Sequence, residues 1–275
     1  MTEPPARTNR PLFQQIARYA QWVGETILKI KLPLLLPIVV TALITCGGKS
    51  MEPTRFQEFV AENAPLYFEK QSNVELYTDG PWQYDVAQAR LVFEGVHSYH
   101  AEILGTFSYE DDSWLWAWAN KQSNIPQQHL KTSEKLTQFF EDNGMADHAI
   151  RTFSMRSEPR LHLAIAANAA LPEIIGFYRA QNQSNEALLA ILSPTFSRDS
   201  RPVGMVLARA LTQSISDVQI SDHRRMTKHY LAGKGFRLIE SPDKILALND
   251  AGNQILDVRF DAQNRIADLR TMPAK

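Results

Sequence analysis

The sequence predicts an α+β protein in which an antiparallel β-meander is packed by helices, joined by a second small helix–helix–meander unit and an N-terminal membrane helix. Short alternating segments between residues 82 and 120 follow one another at hairpin spacing. Helical periodicity lies before and after them instead of alternating with them, which argues against a parallel α/β order. An uncharged run from Leu32 to Gly48 is long enough to enter a bilayer. These features divide the chain into residues 1–50, 52–195 and 196–275.

In the first part, Leu12, Phe13, Ile16, Tyr19, Ala20, Val23 and Ile27 recur at the i, i+3, i+4, i+7 spacing of an amphipathic helix. A single membrane-spanning segment follows at about 28–48. Its uncharged portion of seventeen residues gives roughly 26 Å of helix against a hydrocarbon core of about 30 Å. Starting the span earlier, with Lys29 and Lys31 reaching back to the interface, closes that gap. Six Lys or Arg stand against two acids in residues 1–50, which places the N-terminus in the cytoplasm. Two alternatives stay open. Leu43-Ile-Thr-Cys46 is similar to a lipoprotein cleavage box, which makes Cys46 a lipidation candidate, although Thr45 departs from the small residue usual there. Translation from Met51 would instead give a cytoplasmic protein. Gly47-Gly-Lys-Ser50 is not a phosphate-binding loop, because Leu43 stands where the first glycine is required.

Residues 52–72 predict a helix entered through Pro53 and kinked or divided at Pro65. Strands are expected at 82–86 and 90–93, then over 97–107, where Tyr99, Ala101, Ile103 and Phe107 alternate with His100, Glu102, Leu104 and Thr106. The acidic turn Glu110-Asp-Asp112 leads into a fourth strand, Ser113-Trp-Leu-Trp-Ala-Trp-Ala-Asn120. Helices follow over about 127–144 and 161–171, then a strand pair at 174–180 and 187–192. The last part reads as helices at 203–215 and 223–232, the second closed by Gly233-Lys-Gly235. Strands at 236–240, 244–249, 254–260 and 266–270 are separated by Asp- and Asn-rich turns.

Composition narrows the function classes. Apolar residues make up 44% and charged residues 21%, the balance of a chain that folds around a core. Beyond residue 50, 23 basic residues face 28 acidic ones, so no cationic surface is expected for nucleic acid. One cysteine excludes an internal disulfide and a Cys-rich zinc site. No nucleophile elbow, dinucleotide-binding glycine pattern or kinase signature occurs.

Ile103-Leu-Gly-Thr-Phe-Ser108, Asp112-Ser-Trp-Leu-Trp-Ala-Trp-Ala-Asn120 and the upstream Trp82-Gln-Tyr-Asp85 together resemble an uncharacterised bacterial domain family of unknown function, whose members carry a W-x-W-A-W-A-N strand and a W-x-Y-D element. The alanine-rich segment Leu163-Ala-Ile-Ala166 and Gly176-Phe-Tyr-Arg179 fit the same pattern. The resemblance spans roughly residues 54–195 and implies no reaction.

In a strand, Trp114, Trp116 and Trp118 would share one face. That stripe is either core beneath the helices or an aromatic platform. The expected ligand-binding residues are therefore Trp82, Tyr84, Trp114, Trp116, Trp118 and Asn120, with no catalytic residue, no metal and no cofactor. The function stays unknown at the level of a ligand. The leading expectation is a membrane-tethered, non-catalytic binding module for a protein or a small aromatic-stacking ligand. One alternative is a hydrolase using Glu102, Asp111, Asp112 and His100. Another is an immunity- or stress-type protein acting by surface contact. The cationic start of the helix at Asp222-His-Arg-Arg225 reads most simply as a solvated, capped helix end.

Overall fold

Helix α1 (Arg55–Val74) begins where Thr54 Oγ1 accepts the Gln57 N–H at 3.2 Å and Gln57 Oε1 accepts the Thr54 N–H at 3.1 Å, a reciprocal capping box that satisfies two end-of-helix donors. The structure, a computed structural model, describes residues 53–78, 80–93, 97–156, 158–192 and 201–272. The expected amphipathic helix, the membrane segment, Cys46 and Met51 lie outside them. Among the described residues no helix is long and apolar enough to cross a membrane.

Pro65 lies inside α1 without dividing it. A proline interior to a helix forfeits one backbone hydrogen bond. Here Ala64, Pro65, Tyr67 and Phe68 are all buried, so packing around the helix outweighs that loss.

Seven antiparallel strands form the first sheet. β1 (Trp82–Asp85), β2 (Arg90–Phe93), β3 (His97–Ser108), β4 (Ser113–Trp116) and β5 (Thr152–Ser154) run as a meander. β6 (Gly176–Gln181) and β7 (Asn185–Ile191) form a hairpin whose second strand pairs with β3. A bulge at Leu104 shifts the β3–β7 register between Ile103 and Gly105. Tyr99, Ala101 and Ile103 therefore enter one core cluster, while Leu104 and Phe107 enter another. Unbroken alternation had placed Phe107 with the first set; the extra residue moves it to the other face.

The tryptophan strand is shorter than its alternation predicts. β4 ends at Trp116, and Ala117–Ala119 is a 3-10 turn. The Asn120 N–H donates to both Trp116 O and Ala117 O at 3.1 Å, so the chain winds instead of extending. The single face of three indoles is thus not formed. Trp114 and Trp116 are 2% and 0% exposed and meet edge to face at 5.5 Å. Trp118, on the turn, packs against two clusters.

The expected helix over 127–144 is a 3-10 turn at Gln127–His129 followed by α2 (Lys131–Asp142). α3 (Arg160–Ala170) starts one residue earlier than its apolar run suggests. Phe56 of α1, Leu136 and Phe140 of α2, and Leu163 of α3 share the main core with Trp114 and Trp116.

The last part follows its sequence pattern closely. α4 (Val203–Asp217) and α5 (His223–Gly233) cover a four-stranded antiparallel sheet of β8 (Arg237–Ser241), β9 (Lys244–Leu248), β10 (Gln254–Phe260) and β11 (Ile266–Thr271) in meander order. Helix α1 serves this layer too. Leu66 packs against its core, Glu69 accepts hydrogen bonds from the Tyr230 hydroxyl at 2.6 Å and Lys234 Nζ at 2.8 Å, and Glu62 pairs with Arg225. Glu52–Lys275 forms one compact unit around this helix.

Candidate functional site

Helix α3 begins at Pro159, which has no side chain to cap it, and no acidic residue occupies its first turn. The start of the helix, with the positive end of its dipole, lines a cavity of about 470 Å³. The loop before the helix contributes Met155, Arg156 and Glu158, β3 contributes Phe107, and β6 contributes Arg179; Arg160, Leu161 and Asp112 complete the wall. Three arginines and two carboxylates thus line the cavity together with the apolar Phe107, Met155 and Leu161.

Arg160 is held by contacts that leave its hydrogen-bonding edge underused. Its guanidinium lies 4.4 Å from the Phe107 ring centre and 5.4 Å from that of Tyr109, within cation–π range. Its Nε is 3.3 Å from Glu186 Oε2, yet has no partner in hydrogen-bonding geometry. Arg179 is the better-matched cation. It grips buried Glu186 through Nε at 2.7 Å and Nη2 at 2.6 Å, and Gln181 and the Tyr109 hydroxyl also donate to that carboxylate. Burial pushes the Glu186 carboxyl up, but the Arg179 hydrogen bonds and charge, with the Arg160 charge, hold it below the usual range. Arg156 is exposed and pairs with Asp112 at 3.3 Å.

Glu158 forms the acidic rim. Burial alone would raise its carboxyl; hydrogen bonds from His148 at 2.8 Å and His162 at 3.3 Å outweigh that and bring it down to about 2. His148 is fixed by stacking on Phe56, with ring centres 3.7 Å apart. A smaller cavity of about 40 Å³ shares Arg160, Leu161 and Arg179 with the larger one and is also lined by Trp114 and Glu186. Among the described residues Trp114 Nε1 is buried without a hydrogen-bond partner, and this cavity is large enough for one water.

The residues expected to bind a ligand are dispersed. Trp114 borders the small cavity, while Trp116 is sealed in the core with Nε1 donating to His148 O at 3.0 Å. Trp82 lies edge-on to Tyr178, and the Tyr84 hydroxyl donates to Ala101 O. Asn120 caps the turn at Lys121–Ser123 by accepting the Ser123 N–H. The hydrolase constellation is split as well. His100 and Glu102 meet at 3.5 Å, whereas Asp112 is at the cavity and Asp111 accepts the Ser113 N–H within its own turn. Arg156, Arg160 and Glu186 carried no local motif, and Arg179 entered only as the last residue of the Gly176-Phe-Tyr-Arg179 segment of the family pattern. The four-residue spacing of Arg156 and Arg160 around a helix start was the available signal.

A sequence model of a family of unknown function, DUF6882, matches residues 57–194, half of the chain. The chain belongs to this family. Comparisons with curated proteins and with solved structures find no match. The DUF6882 segment contains every residue lining both cavities, and α4, α5 and the four-stranded sheet follow it.

Proposed function

We propose that this DUF6882 protein is a membrane-tethered, non-catalytic binding module whose ligand is a small molecule with an apolar body and a carboxylate or phosphate group. The observation that carries this reading is that Arg156, Arg160 and Arg179 line one cavity with the start of α3, which has no side-chain cap. Helix N-termini and guanidinium groups both favour anions. The apolar floor of Phe107, Met155 and Leu161 suits the body of such a ligand. Arg156 pairs with Asp112, and Arg160 and Arg179 share Glu186; Arg160 has the weaker hold on that carboxylate, so the added attraction centres on it and on the α3 amides. Tethering rests on the sequence alone, through the uncharged run within residues 28–48 and the basic residues before it.

The test is thermal unfolding of the full chain, in detergent if it pellets with membranes, titrated with inorganic phosphate and with succinate. Saturable stabilisation by one of them, lost in Arg160→Gln and weakened in Arg156→Gln, supports the reading. Stabilisation of equal size in wild type and Arg160→Gln, or none with either anion, overturns it. Fractionation of the same chain between membrane and soluble pools tests the tether separately.

A further inference from the structure

The other polar feature of the first sheet lies away from the arginine cavity, where β3 meets the start of α2. His100 and Glu102 are two residues apart on β3 and share a face, with Nε2 and Oε1 at 3.5 Å. His129, on the 3-10 turn before α2, joins them. One donor atom from each of the three residues lies within 4.8 Å of the other two. One metal ion bound at 2.0–2.2 Å needs its donors no more than about 4.4 Å apart, so small side-chain rotations from this arrangement bring all three within reach.

Two independent observations set this cluster apart from a chance grouping. Glu102 is only 6% exposed, yet among the described residues it makes no ion pair with Lys or Arg. Its contacts are His100 and the Thr132 N–H, which donates to Oε2 at 3.1 Å. A buried carboxylate is costly unless a cation or metal answers it. The second observation is orientation. Thr132 holds one carboxylate oxygen and leaves Oε1 towards His100. His129 Nε2 lies 3.1 Å from Ala87 O and 3.3 Å from the Gln128 amide nitrogen; in the tautomer that donates to the carbonyl, the ring proton is on Nε2 and the lone pair on Nδ1. Backbone carbonyls orient metal-bound imidazoles in this way. Binding through Nδ1 keeps the bond; binding through Nε2 exchanges it for the metal.

We infer that His100, Glu102 and His129 form a binding site for a divalent transition metal of the zinc class. Two imidazoles and one carboxylate suit Zn²⁺, Co²⁺ or Ni²⁺, whereas Mg²⁺ and Ca²⁺ prefer oxygen throughout. Three protein ligands leave a fourth position open. His100, with its side chain 45% exposed, puts that position at the surface, where the ion can enter. The site shares no residue with the anion cavity, so either stands if the other fails.

The experiment is calorimetric titration of the metal-stripped full chain with Zn²⁺, repeated with Co²⁺ to read ligand-field bands. One equivalent should bind, with affinity weakened by at least about tenfold in His100→Ala and in Glu102→Gln. His97→Ala, on the opposite face of β3, should match wild type. His100 is exposed, so its variant remains informative if Glu102→Gln fails to fold. The inference is overturned if wild type binds no stoichiometric Zn²⁺, or if folded His100→Ala binds it as wild type does.

Discussion

The Trp114 indole lies directly against the Cα of Gly105 on the neighbouring strand. A methyl group added at Gly105 would fall 2.5 Å from Trp114 Cζ2 and 2.6 Å from the Leu115 carbonyl oxygen. The absence of a side chain at Gly105 is what lets the Trp114 indole pack this closely against β3.

Gly105→Ala should therefore destabilise the fold by about 1–3 kcal/mol, the usual cost of overpacking a core that cannot yield. Urea unfolding monitored by tryptophan fluorescence measures this. An unchanged midpoint would show that the indole moves aside freely.

Acid should erode stability through Glu158. Its folded value of about 2 lies below the ordinary 4.5, so its contribution is complete above pH 4.5 and disappears as pH falls towards 2. After screening by the partly open cavity, that contribution is about 1 kcal/mol. Melting temperatures between pH 5 and pH 2.5 should fall less steeply in Glu158→Gln than in wild type.

Glu186→Gln keeps the shape of the side chain but removes the charge that Arg179 and Arg160 face. Leaving those cations without their carboxylate should cost about 2 kcal/mol. Guanidinium unfolding of the two proteins checks it, and equal stabilities would show that the pair contributes nothing net.

How far these features were legible varies with how local their causes are. The sheet of β8 to β11 could be read directly, because its strands are short apolar-rich runs and each turn carries its own Asp, Asn or Gly. The end of β4 could not. Trp116-Ala-Trp118 alternates like a strand, and what curls it is the hydrogen bonding of Asn120 to two preceding carbonyls. The bulge at Leu104 was equally hidden, since it exists only in the register between β3 and β7. β5 is three residues long and has no pattern to find.

The candidate sites were less visible for the same reason. His100 and Glu102 could be paired from their spacing, but His129 joins them only after the β3-to-α2 connection folds back. Arg179 reaches the α3 start through the β6–β7 hairpin, and its partner Glu186 lies across that hairpin. The tryptophans drew attention because they are rare and regularly spaced. Two of them turned out to brace the sheet, and one borders a cavity that charged residues from elsewhere define.

Helix α1 gives one side to the core beneath the first sheet and another to the layer of α4 and α5. The family match ends at residue 194, but the thermodynamic unit does not end there. A chain cut after β7 would expose Leu66 and leave the Glu62 and Glu69 carboxylates without Arg225, Lys234 and the Tyr230 hydroxyl. Heat should therefore melt both layers in one cooperative transition, since neither can loosen without stripping a face of the helix on which the other rests.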